Sequence, residues 1–409
     1  MMSKLSNLTV YLNDYAVGIL TRLADDRIYF HFSEAYMNDV ERPILSQSFY
    51  DAHSQLRADT APTQTTAPSF FANLLPEGHL REYLAKSANI NQVRDFLLLH
   101  LLGHDLPGAV IIKSDMDNLL SSSDRDEQII KRDERDKTIL KFSLAGVQLK
   151  FSALMHQHGH LTIPAHGMGG EWIIKLPSQR FTHLPENEFS MLELARQIGI
   201  EVPETRLVEL AAIEKLPDIV KTSKEKAFVI KRFDRNGTQR IHMEDFAQVY
   251  GLQPNKKYQR VSYNNIVNML WTIAGEKTAY EFIKRLVFNM LIGNSDLHLK
   301  NGSLLYPDTK TAQLAPAYDY VATHVFMDDN KLALSMAGEK DIRKINLALL
   351  KRFAEKAKLP VNAVTHMTQQ TIEQTLAAWK QLKSDLPLNQ SMRQAIEKRM
   401  HLTAKQFNM

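Results

Sequence analysis

The chain has 409 residues, a formal net charge of +4 and no cysteine. That length allows two or three domains around a sizeable core, and 44% hydrophobic with 23% charged residues is ordinary for a soluble globular protein. The lack of cysteine excludes disulfides, Cys-ligated zinc, iron–sulfur clusters and thiol nucleophiles, and a charge of +4 spread over this length does not by itself argue for nucleic-acid binding. The opening MMSKLSNLTVYLND has no apolar run behind its lysine, so it does not resemble a secretory signal. The greasiest stretch, FLLLHLLG at 96–103, is too short to cross a bilayer. A soluble cytoplasmic protein that does not enter membranes is expected.

In chain order, LTVYLNDYAVGIL predicts two short strands around an Asn13-Asp14 turn. PSFFANLLPEGHLREYLAK has apolar residues at helical spacing, and DFLLLHLLGHDLPGAVII predicts a helix, a Gly/Pro turn and a strand. This first unit spans 1–112. Residues 113–138 are polar with mixed charge and are expected to be a solvated linker. ILKFSLAGVQLKFSALM suggests strand, small-residue turn, strand; EWIIKLP is a strand stopped by Pro177. ENEFSMLELARQIG is an amphipathic helix with Phe189, Leu192 and Ala195 on one face and Gly199 as its stop. AFVIKRFDRNG is a strand running into a turn. Residues 139–237 therefore form a strand-rich lobe. From 238 to 409 the pattern turns helical, in NNIVNMLWTIAG, TAYEFIKRLVFNMLIG, KINLALLKRFAEKAK and TIEQTLAAWKQLKS, with a strand-like interruption at 302–320. The fold class is α+β and two-lobed: an extra N-terminal subdomain, a strand-rich lobe and an all-helical C-terminal lobe.

Where the two lobes would meet lies GNSDLHLKNGSLLY, 293–306. Phosphoryl transfer from ATP needs a lysine for the phosphates, carboxylates for magnesium, an Asp to orient the attacking hydroxyl and often an Asn to complete the metal shell. Asp296 precedes Asn301 by five residues, the spacing found in protein kinases. Asp319 follows after strand segments, as a second metal-binding carboxylate should. Upstream, Lys175 lies on a strand and Glu188 begins the next helix. The turn after FVIKRF is the expected hinge, with Phe233 placed to stack on adenine.

Each piece has a plain structural alternative. A strand lysine is more often a surface residue, an Asp–Asn pair in a loop more often turn chemistry, and Asp319 is also suited to capping a helix. The Asp-x-His pair ending at His298 is a pattern that can ligate zinc or iron, but no second histidine stands at ligand spacing and Asn is a poor zinc ligand. No Walker-type G-x-x-x-x-G-K-[ST] occurs. The order Lys, Glu, hinge, Asp, Asn, Asp on two lobes is what separates the kinase reading from these.

FSLAGVQLKF, EWIIKLP, ENEFSMLELARQIGIEVPETRL, FVIKRFDR, IHMEDFAQVYGLQPNKKY, FNMLIGNSDLHLKN and LAPAYDYVAT together resemble the HipA family of serine/threonine kinases, the toxins of bacterial toxin–antitoxin modules. LTVYLNDYAVGIL, FFANLLPE and GHDLPGAVII resemble the family's N-terminal subdomain. The resemblance implies a kinase-like fold of the HipA/phosphoinositide-kinase type using ATP and Mg2+. It implies Asp296 as catalytic Asp with His298 beside it, and Asn301 and Asp319 as magnesium ligands. Lys175 and Glu188 would serve the phosphates, and Lys231, Phe233 and Asp234 would surround the adenine. Family members commonly carry an acidic residue where this chain has Lys231. Ser143 matches the serine such kinases phosphorylate on themselves, in a phosphate loop that includes Ala145, Gly146, Val147 and Gln148. A phosphate there adds a charge of about −1.5 to −2 to a loop meant to cradle ATP.

The implied partners are a HipB-like helix-turn-helix antitoxin, operator DNA mainly through that antitoxin, and a protein substrate of the aminoacyl-tRNA synthetase kind. Two rivals remain. One is a catalytically weak co-repressor that acts by binding the antitoxin. The other is a small-molecule kinase of the aminoglycoside phosphotransferase type; those usually place a His two residues before the Asp, whereas Asn294 stands there in this chain.

Overall fold

The computed structural model describes residues 6–57, 61–114, 150–155, 161–162, 170–178, 180–216 and 224–408. Ser143 and the stretch Ala145–Gln148 therefore lie outside the described residues, as does nearly all of the polar segment 113–138.

The N-terminal unit is a five-stranded antiparallel sheet flanked by helices. Its strands are β1 (Ser6–Leu12), β2 (Tyr15–Arg22), β3 (Arg27–Phe32), β4 (Thr63–Gln64) and β5 (Val110–Lys113), in the order β4-β3-β2-β1-β5. The β1–β2 hairpin turns at Asn13, whose φ of 52° is one that Asn tolerates. Alternation along β1 buries Leu8, Val10 and Leu12. The core they build is closed by helices α1 (Glu34–Asn38), α2 (Ser69–Leu74), α3 (Gly78–Ser87) and α4 (Asp95–Leu102), with Phe30, Phe32, Phe49, Phe70 and Phe71 in ring contact. The sequence pattern over 68–86 is continuous, but the structure breaks it into α2 and α3 at Leu75-Pro76-Glu77. Proline disfavours helical backbone in the residue before it and offers no N–H.

The second sheet has six strands in the order β10-β7-β6-β8-β11-β9: β6 (Lys150–Met155), β7 (Leu161–Thr162), β8 (Trp172–Lys175), β9 (Thr205–Glu209), β10 (Ile213–Glu214) and β11 (Lys226–Lys231). Helix α5 (Leu184–Gln197) packs on it, with Leu192 and Ala195 fully buried and Gly199 at φ 76° ending the turn. Leu80 and Leu84 of α3 pack against this sheet's own small core.

The C-terminal part is mostly helical: α6 (Phe246–Val249), α7 (Tyr263–Ala274), α8 (Glu276–Ile292), α9 (Leu347–Lys356), α10 (Val361–Leu382) and α11 (Gln390–Gln406). The last of these carried no signal singled out in the sequence. Nor is the lobe all-helical: strands form in the expected interruption at 302–320 and also outside it. It holds a three-stranded antiparallel sheet of β14 (His242–Asp245), β15 (Ser303–Tyr306) and β16 (Gln313–Leu314), and a hairpin of β17 (Lys331–Met336) and β18 (Glu339–Asp341). A short hairpin, β12 (Arg235–Asn236) with β13 (Gln239–Arg240), leads into it. These strands arise because the segments that leave α8 and return to the core are rich in residues such as Leu304, Leu332 and Leu334, which are buried on extended backbone. One continuous core runs from α5 and Phe228 through the helices to Phe407, so the two lobes share apolar contacts.

Glu244 of β14 joins the N-terminal unit to the C-terminal part. It is fully buried and accepts from Ser46 Oγ at 2.5 Å, the Gln47 N–H at 3.1 Å and Tyr306 Oη at 2.5 Å. Burial pushes its carboxyl up to about 7, although those three donors pull it down. A folded-state value above the ordinary 4.5 means that the native protein binds the extra proton between about 4.5 and 7. Stability therefore falls as pH rises through that window, and the penalty is fully present above it. Glu244→Gln keeps the shape without the charge. Its unfolding free energy at pH 8 should exceed the wild type's by an amount on the order of 3 kcal/mol at most, with the gap closing towards pH 4.5. Denaturant titrations at several pH values check this; a gap that does not shrink on acidification contradicts it.

Candidate active site

Lys175 ends β8, where Pro177 stops the strand, and is only 7% exposed. Its amine donates to Glu188 Oε1 of α5 at 2.6 Å and also pairs with the carboxylate of Asp319. Burial works against the lysine's charge, but Asp319 and Glu188 outweigh it and hold the amine protonated above its ordinary value. Burial likewise opposes ionisation of Asp319, yet Lys175 and Lys150 keep it well below the usual carboxylate range. Glu188, the most enclosed of the three, is pushed up by burial despite Lys175. β6 pairs with β8 so that Lys150 stands directly across from Lys175.

The loop after α8 supplies the other half. α8 ends at Gly293, which adopts left-handed backbone at φ 68°; a Cβ there would run into the ring of His324. Asn294 then organises the turn. Its Nδ2 donates to Asn289 Oδ1 at 2.7 Å, and its Oδ1 accepts from the Asp296 N–H at 2.9 Å. Asn301 Nδ2 donates to the Asp296 carbonyl at 2.8 Å, so the five-residue spacing closes a compact loop and leaves the Asn301 amide oxygen as the end available to a cation. Tyr263 Oη holds the Leu297 carbonyl at 2.9 Å from below. Tyr258 Oη donates to Asp296 Oδ1 at 2.7 Å.

One hydroxyl ties this loop to the one carrying Asp319. Thr323 Oγ1 accepts from the Ser295 N–H at 2.8 Å and donates to the Gly293 carbonyl at 3.1 Å. Asn187 of α5 accepts from the Ala322 N–H at 2.8 Å, which fixes the same loop against the helix that carries Glu188. Asp319 itself sits at φ 58°. His298 is buried and feels the charge of both Asp296 and Asp319. Its Nδ1 accepts from the Lys300 N–H at 3.2 Å, which places the ring proton on Nε2. Burial lowers its pKa and keeps it neutral.

The adenine-side residues separate. Phe233 is half-buried, with its ring 5.5 Å from that of Tyr318, the neighbour of Asp319. Lys231 exposes its side chain and donates its N–H to the Glu204 carbonyl at 2.8 Å. Asp234 is engaged elsewhere. It accepts from Arg232 Nε and Nη2 at 2.9 and 2.8 Å, from Arg235 Nη1 at 2.8 Å and from the Gly108 N–H at 2.8 Å. Three of these bonds fall on Oδ2 and one on Oδ1, and together they tie the hinge to the N-terminal turn. Asp105 completes that network through Arg235 Nη2 at 3.0 Å. Lys175, Glu188, Asp296, His298, Asn301 and Asp319 are thus brought together. Asp105, Tyr258, Asn187 and Thr323 were not singled out from the sequence; the paired arginines flanking Asp234 in KRFDR, at the exit of a buried strand, are the one signal that called for a partner such as Asp105.

Among the described residues, no three His, Asp or Glu side chains converge as a ready-made metal cage. Zinc or iron at His298 has no ligand set there. Asn301 and Asp319 offer hard oxygens alone, which suits a magnesium ion that keeps waters and nucleotide phosphates as its remaining ligands.

The family described as "HipA-like C-terminal domain" matches residues 142–379, and "HipA N-terminal domain" matches residues 8–113. The chain belongs to the HipA family. A relative from Sinorhizobium fredii, named "Putative kinase Y4dM", is 44% identical over 95% of this chain and 94% of its own length. The "Serine/threonine-protein kinase toxin HipA" of Shewanella oneidensis is 26% identical over 88% of this chain and 85% of its own. The solved structure of the Shewanella oneidensis HipA, HipB and operator DNA complex contains a chain that superposes with a TM-score of 0.77 at 22% identity, over 98% of this chain and 97% of that one. The HipA fold, with its kinase-like arrangement of a sheet-bearing lobe and a helical lobe, is therefore shared. No helix among the described residues is long and apolar enough to cross a membrane.

Gly293→Ala should destabilise the protein by about 2–4 kcal/mol, from left-handed strain plus the collision with His324. The loss is read as a fall in the denaturation midpoint. A variant within about 0.5 kcal/mol of wild type would show that the turn relaxes without cost.

Proposed function

We propose that the chain is an ATP- and magnesium-dependent serine/threonine protein kinase that acts as the toxin of a toxin–antitoxin pair. The observation that supports this most is the tie between two loops: Thr323 holds the Asp296–Asn301 loop against the Asp319 loop, whose carboxylate meets the buried Lys175–Glu188 pair. Family membership and the kinase names of the relatives point the same way.

In this reading ATP with magnesium supplies the γ-phosphoryl group and the cation that offsets its charge. Asp296 accepts the proton of the acceptor hydroxyl as the new oxygen–phosphorus bond forms, and the bond to the leaving phosphate oxygen breaks. A positioned base of this kind contributes about 10²–10⁴-fold. Lys175 turns its fixed positive charge towards the phosphates, with Glu188 holding the amine in line; such preorganised charge is the larger effect. Asn301 and Asp319 offer the cation its protein oxygens. His298, neutral and buried, keeps its Nε2 proton as a donor beside Asp296. Phe233 and the backbone about Lys231 border the adenine. Asp234 stabilises the hinge beneath it.

The acceptor is a protein hydroxyl, on a translation component such as an aminoacyl-tRNA synthetase and on Ser143 of the chain itself. Self-modification at Ser143 would add negative charge to the Ala145–Gln148 phosphate loop and repel it from the nucleotide. The companion is a HipB-like antitoxin that carries the operator DNA contact. The structural neighbour was captured with HipB and operator DNA, which supports this pairing.

Asp296→Asn and Asp319→Asn should each abolish phosphate transfer, by at least about 100-fold, while Asp296→Asn still binds nucleotide. The measurement is intact-protein mass after incubating dephosphorylated protein with ATP and magnesium, wild type beside these variants and Ser143→Ala. Phosphate gained only when Asp296 and Ser143 are both present bears out the kinase and its self-modification. Full activity in either Asp variant refutes the assignment. Repression that persists in Asp296→Asn would separate antitoxin binding from catalysis.

A further inference from the structure

Tyr258 is 42% exposed at the end of a short turn, yet its phenol is held in place. Its ring stands edge-on to His298, with centroids 5.0 Å apart and planes at 80°. Its hydroxyl donates to Asp296 Oδ1 at 2.7 Å. The preceding residue is pinned at both ends. The Lys257 carbonyl accepts from the Leu299 N–H at 3.2 Å, and Lys257 Nζ pairs with Glu77 Oε2 at 2.9 Å. Glu77 Oε1 takes Lys300 Nζ at 2.7 Å. Glu77 stands at the Pro76 break between α2 and α3, so the N-terminal unit reaches across and clamps both the Tyr258 turn and the Asp296 loop.

An ionised Asp has two oxygens that each accept a hydrogen bond. A base that must meet an incoming hydroxyl in one geometry gains from having the other oxygen fixed, because rotation about its last torsion is broad and unrestrained. Burial and the Asp296 charge both push the Tyr258 phenol up, so it remains a donor throughout the physiological range.

We propose that Tyr258 is a positioning residue for phosphoryl transfer: its hydroxyl fixes Asp296 Oδ1 and leaves Oδ2 to receive the proton of the acceptor, at the exposed rim where a protein substrate docks. This rests on the reading of Asp296 as the base. Tyr258 touches neither Lys175 nor Asn301 or Asp319 through any hydrogen bond found among the described residues, so its effect falls on the acceptor side and not on nucleotide binding.

The test is Tyr258→Phe, which keeps the ring against His298 and removes one hydroxyl. Initial rates of phosphate gain on dephosphorylated full-length chain are measured across ATP concentrations with magnesium, beside wild type and Asp296→Asn. The expected result is a kcat lowered about 10- to 100-fold, the range for losing one hydrogen bond to a charged group, with the KM for ATP within about twofold and the thermal midpoint unchanged. An unchanged kcat in Tyr258→Phe, with Asp296→Asn inactive, overturns the role of Tyr258 and leaves the base in place. A faster Tyr258→Phe also overturns it, because the phenol would then be an obstruction to the acceptor. An active Asp296→Asn, or no transfer by wild type, refutes the base reading and this inference with it.

Discussion

A lysine enclosed at the end of a strand must be neutralised or it will lose its proton. Lys175 is neutralised from two directions, by Glu188 on the helix that covers the sheet and by Asp319 on a loop of the helical part. This one requirement links three elements far apart in sequence. α5 is held there by apolar packing as well, with Met191 and Leu194 in the same cluster as Phe288 and Ile396. The trio carries one positive and two negative charges when all are ionised, which favours an arriving cation and frees Lys175 for an arriving anion. A buried pair of this kind is weak evidence for stability, since desolvation offsets much of the attraction. Its placement beside the Asp296 loop is what gives it chemical meaning.

The N-terminal unit is bound to the rest by buried polar contacts that a loosely attached domain would lack. Asp105, Arg232, Asp234 and Arg235 form a charge-balanced cluster, all of them less than about a tenth exposed. Glu244 meets Ser46 and Gln47, Gln248 Nε2 donates to the Phe70 carbonyl at 3.0 Å, and Asn73 Nδ2 donates to the Leu252 carbonyl at 2.8 Å. Several of these partners sit on one short run, 242–257, that lies between the hinge and the Tyr258 turn. Breaking any one of them would strand a buried polar group, which costs more than the bond itself contributes. The seam is thus cooperative, and it places the Glu77 clamp where it reaches the Asp296 loop.

Much of this was legible from the sequence, and the reason differs by element. The Asn13 turn, α5 with its Gly199 stop and α7 to α10 follow from periodicity and local chemistry, which are short-range properties. The Asp296–Asn301 spacing was legible because the loop closes on itself, through Asn301 and the Asp296 carbonyl. Lys175, Glu188 and Asp319 were named from order along the chain, and the structure brings them together. Failures came where a long-range partner decides. Pro76 splits a pattern that apolar spacing alone reads as continuous. Asp234, expected beside the adenine, also meets arginines on both sides and a glycine N–H from 126 residues away, partners that no local pattern shows. β17 and β18 emerge from alternation too short to outweigh the helices around it. Tyr258 meets Asp296 across 38 residues, a contact without local signature.

Charge and neutrality are divided between site and frame. The ties that set the loops are neutral: Asn289 to Asn294, Asn294 to the Asp296 N–H, Thr323 to Ser295 and Gly293, Asn187 to Ala322. Such bonds do not depend on the protonation of either partner, and burial screens them from salt. The two carboxyl groups and the amine they position, on Asp296, Asp319 and Lys175, are then the ones a charged ligand would act on. Had the frame been built from ion pairs, an incoming polyanion would compete for its cations and loosen the geometry it needs. Two ties are ionic: the buried Asp105–Arg232–Asp234–Arg235 cluster at the hinge, and the partly exposed Glu77 clamp on Lys257 and Lys300. In the kinase reading proposed above the Glu77 clamp lies on the acceptor side, where a protein would dock, and there a clamp that can yield to a competing charge is compatible with a frame that cannot.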